Sequence, residues 1–325
     1  LTLTARRDGA SVFAENKKWG FFPAASVAWQ MHRENFLKDV KVIDQLKFRA
    51  SYGAVGNQSL SPYTTLGVVD ANPYIFGGGI VGGNLPGTVL PNPNLTWETS
   101  TTFNAGFDFG LFGNRITGSM EYYNTQTTDL LADISLGGTS GFSSTITNGA
   151  ASKNKGIELL LTGQLIRNSK MNWSVTGTFS RNTNEIVKTG IVDINGKPKD
   201  DLGRGRYVGR PINIIRTMVF DGIFQTDAEA LASAQGSKGG TVTPFQSLAT
   251  LYAGAIRLKD VNGDGIINDQ DNVIIGTDPK WFGSISTNFE YKGFELLADL
   301  YIVEGATPYN PYLASFNEGG TFQSV

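Results

Sequence analysis

Apolar and polar residues alternate with a period of two along many segments of the chain. At the start, Leu1, Leu3 and Ala5 alternate with polar residues. The alternation returns in the segments 25–30, 47–53, 101–109, 116–123, 157–165, 172–180, 285–291 and 294–302. Successive side chains of a β-strand point to opposite faces, so this period predicts strands with one apolar face. Tight turns such as Gly113-Asn114 predict antiparallel hairpins.

Two features of these segments favour a membrane barrel over a soluble β-sandwich. Many segments run to about ten residues, the length that a tilted strand needs to cross a bilayer. Aromatic residues cluster near the segment ends, as they do at lipid–water interfaces. These aromatic residues are Trp19, Phe21, Phe22, Tyr122, Tyr123, Trp173, Trp281 and Phe282. The sequence therefore predicts an all-β transmembrane antiparallel β-barrel; the alternative is an all-β extracellular domain with an ordinary core.

The connections between the segments alternate between long and short. The long connections are 8–20, 54–96, 132–152 and 184–280. The others are 110–114, 167–170 and 292–293, which are short, and 32–45, which is intermediate. Outer-membrane barrels combine short periplasmic turns with long extracellular loops. No strand is predicted to cross the membrane within the segment 184–280, so this segment is predicted to be a large extracellular loop region. Within it, a capping box at Thr226 is predicted to begin a short helix through Gln235.

Composition and charge limit the possible partners. The 325 residues contain 27 basic and 29 acidic side chains, a net charge of −2, so no global basic field indicates nucleic acid. There is no cysteine and therefore no disulfide framework. The sequence also lacks an apolar run of about 18 residues, which excludes a transmembrane helix. Because it begins inside a strand pattern without Met or a signal peptide, we expect it to be a piece of a longer protein.

One stretch has the spacing of a calcium loop. The pattern D-x-N-x-D-G begins at residue 260, and ligands are expected at positions one, three, five, seven, nine and twelve of the loop. The predicted ligands are Asp260, Asn262, Asp264, the Ile266 carbonyl, Asn268 and Asp271. Similar strings also form polar turns without metal, and the short side chain of Asp271 is less suited to bidentate closure than Glu. We predict a structural Ca²⁺ that holds a loop with little apolar core.

No arrangement of residues predicts an enzyme. The only histidine is His32, which nearly excludes histidine-based catalysis and His-rich metal sites. The acidic residues show no spacing that singles out an acid–base pair. The glycine-rich run 77–83 lacks the Lys-Ser/Thr of a phosphate-binding loop and is predicted to be a loop.

Several short strings, in order along the chain, resemble a known family. They are 7–11, 19–24, 46–53, 92–99, 110–115, 154–159, 221–225 and 259–268. Each is weak by itself, but the ordered set resembles the SusC-like (SusC/RagA) branch of TonB-dependent outer-membrane transporters of Bacteroidetes-type bacteria. The set extends from about residue 5 to about residue 300, so the resemblance covers nearly the whole chain.

The resemblance implies a fold, an activity and partners. It implies the C-terminal part of a large plugged barrel, of about 22 strands, that imports oligosaccharides or oligopeptides. The implied partners are a SusD-like surface lipoprotein as the lid, outer-membrane lipid and the TonB–ExbB–ExbD complex. The plug and the TonB box are missing from these residues, and 308–325 is loop-like without a terminal aromatic strand.

Aromatic residues in the long loops are the candidates for contact with a glycan or peptide. They are Tyr63, Tyr74, Phe76, Tyr207 and Phe245. Each could instead pack the loops against one another. The alternative function is a surface adhesin or binding module that does not transport.

Overall fold

The computed structural model describes residues 1–233 and 252–308, which divide into two units. The first comprises Leu1–Ile212 and Pro279–Gly305, and the second includes Asn213–Asp278. The described strands are β1 (Thr2–Gly9), β2 (Trp19–Gln30), β3 (Ile43–Asn57), β4 (Val69–Ala71), β5 (Tyr74–Phe76), β6 (Gly79–Val81), β7 (Asn84–Pro86), β8 (Val89–Leu90), β9 (Glu98–Leu111), β10 (Ile116–Ser135), β11 (Ser144–Arg167), β12 (Met171–Thr189), β13 (Ile214–Thr217), β14 (Phe220–Ile223), β15 (Ile256–Leu258), β16 (Val273–Gly276), β17 (Trp281–Tyr291) and β18 (Phe294–Glu304).

The first unit is built on one antiparallel sheet in which neighbours follow chain order. Within the described ranges the order is β1-β2-β3-β9-β10-β11-β12-β17-β18, and short β8 pairs in parallel with β11. β12 pairs directly with β17, so the described part of the intervening segment adds no strand to this sheet. The architecture confirms the predicted all-β antiparallel fold.

The strand register gives the sheet one apolar face. A row of successive register partners crosses it from β3 to β12 through Phe48, Phe107, Met120, Leu159 and Phe179. Phe107, Met120 and Leu159 are all exposed. An exposed apolar surface of this extent is rare on soluble monomers and marks a face that meets lipid or a partner.

The opposite face of the same strands is polar. The hydroxyls of Thr102 and Thr125 lie 2.9 Å apart on β9 and β10. Those of Thr162 and Thr176 lie 3.0 Å apart on β11 and β12. The predicted alternation is therefore confirmed, with hydroxyl pairs that satisfy each other across the strands.

Three strands extend well beyond their alternating segments. β10, β11 and β12 contain 20, 24 and 19 residues, about twice what a bilayer crossing requires. The connection predicted at 132–152 is mostly strand, and the loop itself is only 136–143. Alternation fails there because small residues on these strand ends, Ala132, Ala150 and Ala151, are buried.

A small aromatic core joins two long connections to the sheet. Phe13, Phe22, Leu95 and Trp97 are buried together. The ring of Trp97 lies 5.5 Å from that of Phe13 and 5.6 Å from that of Phe22, measured between centroids. Its indole N–H donates to the Lys18 carbonyl at 3.3 Å. The segments 10–18 and 58–97 are therefore packed against β2 through this core, and the second of them is also joined to the sheet where β8 pairs with β11.

The second unit has little regular structure. β13 pairs with β16 and β14 with β15, both antiparallel. Helix α1 (Asp227–Ala232) begins at Thr226, whose side chain accepts a hydrogen bond from the Glu229 N–H, as the capping box predicts. The predicted helix end, Gln235, lies outside the described residues. No helix in the described ranges is long and apolar enough to span a membrane.

Candidate functional site

The predicted calcium loop forms a closed network of hydrogen bonds in the second unit. Asp260 accepts from the Gly263 N–H at 2.6 Å through Oδ1 and from the Gly265 N–H at 2.7 Å through Oδ2. Asp264 Oδ1 accepts from the Ile266 N–H at 2.8 Å. Gly263 and Gly265 have φ of +76° and +78°, a conformation that favours glycine. The spacing therefore produces the sharp turn that the sequence predicts.

Asp271 closes the loop from its other end. Its side chain is fully buried and accepts from the Val261 N–H at 2.9 Å and from the Asn268 N–H at 2.8 Å. Asn268 Oδ1 in turn accepts from the Gln270 N–H at 2.7 Å, and Asn262 Oδ1 from the Asp264 N–H at 2.9 Å. The predicted ligands thus share one loop, and five of them use side-chain oxygens to hold its backbone.

The test of this loop as a metal centre is whether its oxygens converge. Across 1–233 and 252–308, no three or more histidine, cysteine, aspartate or glutamate side chains are close enough to share an ion. A carboxylate oxygen that accepts one N–H bond keeps a further lone pair. The donor set is oxygen-rich, as Ca²⁺ prefers, and calcium binding stays a prediction.

Arg257 links β14, β15 and α1 in the second unit, a role that the sequence did not predict. Its guanidinium lies 2.9 Å from Glu229 Oε1 and 3.2 Å from Asp221 Oδ2. Two interactions hold the pKa of Glu229 below its ordinary value. The larger is the hydrogen bond from the backbone N–H of Gln225, and the other is the pairing with Arg257. β14, β15 and α1 are thereby tied together by side chains far apart in sequence.

Three of the predicted ligand-contact aromatics are exposed on the segment 58–97 of the first unit. Tyr74 and Phe76 lie on β5, with ring centroids 6.5 Å apart, and Tyr63 precedes them. β5 and β6 form a hairpin whose turn residues, Gly77 and Gly78, have positive φ. The glycine run is therefore a hairpin turn within the predicted loop.

The other two predicted contact residues, Tyr207 and Phe245, do not belong to the segment 58–97. Tyr207 is only 7% exposed, and its hydroxyl has no hydrogen-bond partner within the described part of the chain. Its ring is therefore buried in this structure, and its assignment to ligand contact stays a prediction. Burial follows from the fold of its segment, which is held to β12 by hydrogen bonds between the backbones of Ile186 and Gly209–Arg210. Phe245 lies outside the described residues.

A charged cluster occupies the polar face and was not predicted. Arg49 on β3 lies 3.2 Å from Asp108 on β9 and pairs with Glu121 on β10. Lys47 also contacts Asp108 at 3.2 Å, and Asn104 donates to Glu121 at 3.2 Å. These residues come from three strands, so only the register reveals that they meet.

The comparisons with known proteins agree with this architecture. Residues 1–322 match the family model described as TonB dependent receptor-like, beta-barrel. TonB-dependent receptor P3 of Formosa agariphila is 37% identical over 307 residues, which cover 91% of this chain and 29% of that protein. TonB-dependent receptor SusC of Bacteroides thetaiotaomicron is 36% identical over 194 residues, 58% of this chain and 19% of SusC.

A solved structure shows the same fold. The RagAB peptide transporter superposes with a TM-score of 0.70 at 23% identity, over 92% of this chain and 31% of that chain. The chain thus spans about a third or less of the length of these proteins. The resemblance to SusC-like proteins is confirmed, and the expectation of a non-enzymatic protein agrees with a family of receptors. The chain belongs to the TonB-dependent receptor-like β-barrel family and forms part of an outer-membrane barrel.

Proposed function

We propose that the full-length protein imports oligosaccharides or oligopeptides across the outer membrane with energy from TonB. The observation that carries the proposal is the 37% identity to a TonB-dependent receptor over 91% of this chain. The likeness to SusC and to the RagAB peptide transporter supports a SusD-like lipoprotein as partner. We assign the plug and the contact with TonB–ExbB–ExbD to parts of the protein outside these residues.

In this proposal the two faces of the sheet are in contact with different environments. The apolar face meets lipid, whereas the hydroxyl- and amide-rich face lines the lumen through which the substrate passes. The segments 58–97 and 190–280 are extracellular loop regions. Tyr74 and Phe76 stack on sugar rings or contact peptide side chains, because their rings are exposed and adjacent on one hairpin.

Replacing Tyr74 and Phe76 by Ala in the full-length protein is expected to weaken substrate binding roughly tenfold, since two aromatic contacts are lost. The measurement is calorimetric titration with the oligosaccharides and oligopeptides on which the host grows. The control is Phe36→Ala, which removes a similarly exposed ring from the connection between β2 and β3. Equal affinity of all three proteins would contradict the role of this hairpin.

Uptake separates a transporter from an adhesin. Cells that lack TonB are expected to bind labelled substrate as before but to accumulate none of it, because loop capture does not require energy and plug movement does. Uptake that persists without TonB contradicts the proposal. Binding without TonB-dependent uptake in any strain indicates the adhesin instead.

We also propose that the loop 260–271 binds a structural Ca²⁺. The spacing of its oxygen ligands and the turns at Gly263 and Gly265 support this. Calorimetry of the full-length protein is expected to detect calcium binding that Asp260→Asn with Asp264→Asn abolishes. Asp193→Asn is the control, because Asp193 also accepts two backbone N–H bonds in a polar turn but lacks the ligand spacing. Absence of binding at millimolar Ca²⁺ would rule out the site.

A further inference from the structure

The connections at one end of the first unit's sheet carry an excess of positive charge. Connections between consecutive antiparallel strands alternate between the two ends, so 31–42, 112–115, 168–170 and 292–293 share an end. They contain six basic and two acidic side chains, a net charge of +4 in a chain of net charge −2. The basic residues are Arg33, Lys38, Lys41, Arg115, Lys170 and Lys292. These connections are therefore positively charged, whereas the adjoining strand ends carry Asp44, Glu290 and Glu295.

A cavity of about 490 Å³ lies between two of these turns, the one joining β11 to β12 and the one joining β17 to β18. The Lys292 N–H donates to the Lys170 carbonyl at 3.4 Å, so the two turns adjoin. On the apolar side the cavity is lined by Met171, Tyr291 and Phe294, which are successive register partners. Its volume is in the range of sites that hold small molecules.

The acidic residues of the cavity lie on the other face. Asn172, Glu290 and Glu295 are register partners on the polar side of β12, β17 and β18. Asn172 donates to Glu290 Oε2 at 3.5 Å. Within the described ranges, neither Lys170 nor Lys292 pairs with a carboxylate. The ammonium groups are thus available to a ligand that approaches from the apolar side.

The position of Lys292 supports this direction of approach. Its Nζ lies 5.2 Å from the centroid of the Tyr291 ring, which belongs to the apolar face. Its φ is +47°, in the left-handed region where turns usually have Asn, Asp or Gly. The ammonium group of Lys292 therefore lies beside the ring on the apolar side of the turn.

We propose that this cavity binds an anionic phospholipid of the periplasmic leaflet. The phosphate lies between Lys170 and Lys292, and an acyl chain follows the apolar face past Met171, Tyr291 and Phe294. Basic side chains beside aromatic rings at a membrane interface provide charge for the headgroup and an apolar surface for the chain. The site depends on the barrel being in the membrane and not on what the protein transports.

The test uses the full-length protein, delipidated in non-ionic detergent and titrated with phosphatidylglycerol or phosphatidylcholine under native mass spectrometry. Wild type is expected to retain phosphatidylglycerol in preference to phosphatidylcholine. Lys170→Gln with Lys292→Asn is expected to weaken phosphatidylglycerol retention roughly tenfold, since each lysine near a membrane surface attracts anionic lipid. Asn suits the left-handed turn, so this variant keeps the hairpin.

Two further variants and one competitor show whether Lys170 and Lys292, and not the general charge of this end, retain the lipid. Lys38→Gln with Lys41→Gln removes the same charge from the same end and is expected to leave retention unchanged, while Lys292→Arg is expected to preserve it. An excess of inorganic phosphate is expected not to displace the lipid. The proposal is overturned if the two paired variants behave alike, if phosphatidylcholine is retained equally, or if phosphate displaces phosphatidylglycerol.

Discussion

Leu161→Lys is expected to destabilise the barrel in a bilayer by about 2–4 kcal/mol, the cost of a cation on the lipid face near the midplane. Leu161 lies on the apolar face of β11, between register partners Gly118 and Gly177. These glycines leave the leucine side chain exposed, so lipid is its main contact. The measurement is the free energy of unfolding of the full-length protein in liposomes, from urea titration.

The adjacent residue is a matched control for this prediction. Leu160 is 41% exposed and Leu161 43%, but Leu160 lies on the polar face beside Ser119 and Thr178. Leu160→Lys is expected to change the free energy of unfolding by less than about 1 kcal/mol, because its charge enters a wet lumen. Equal costs for the two variants would mean that the sheet does not have one lipid face and one aqueous face.

Trp97→Ala is expected to cost about 3–5 kcal/mol of stability, the usual range for a buried aromatic residue that leaves a cavity. Its ring packs between Phe13 and Phe22 and links two connections to β2. Limited proteolysis is expected to cleave within 58–97 sooner in the variant than in wild type. Substrate affinity is expected to fall with it, because Tyr74 and Phe76 belong to that segment.

Trp19→Ala serves as the comparison for Trp97→Ala. Trp19 begins β2 and is 61% exposed, with Arg7 stacked on its ring at 4.6 Å. Its removal is expected to cost about 1 kcal/mol, since the ring is largely exposed and its loss removes a surface cation–π contact. If Trp19→Ala destabilises the protein as much as Trp97→Ala, the aromatic core does not anchor the loops.

The sequence was sufficient to predict the faces of the strands but not their lengths. Phe289 and Tyr291 alternate with Asn288 and Glu290, because one face meets a single kind of environment along the whole crossing. Near Ala132 and Ala150 that regularity ends, since their burial depends on residues distant in sequence. Strand pairing continues there through backbone hydrogen bonds, which no side-chain period reveals.

The site features that depend on neighbouring residues could also be predicted from the sequence, whereas those that depend on residues distant in sequence could not. The turns around Asp260 and Asp264 are set by hydrogen bonds within a few residues, so spacing was enough to place them. Tyr207 was assigned to ligand contact because its segment is a loop, but exposure is a tertiary property. The pairing of Arg49 with Asp108 and Glu121 required the alignment of three strands.

The chain-order meander of the sheet bears on how the barrel is assembled. From β9 to β12, each strand finds its partner directly after a turn or a short loop, so this part of the wall can grow one hairpin at a time at low loop-closure cost. β17 must instead find the edge of β12 across a connection that contains most of the second unit. Insertion is therefore expected to pause at this step, where the exposed edge of β12 most needs a chaperone or an assembly machine to protect it.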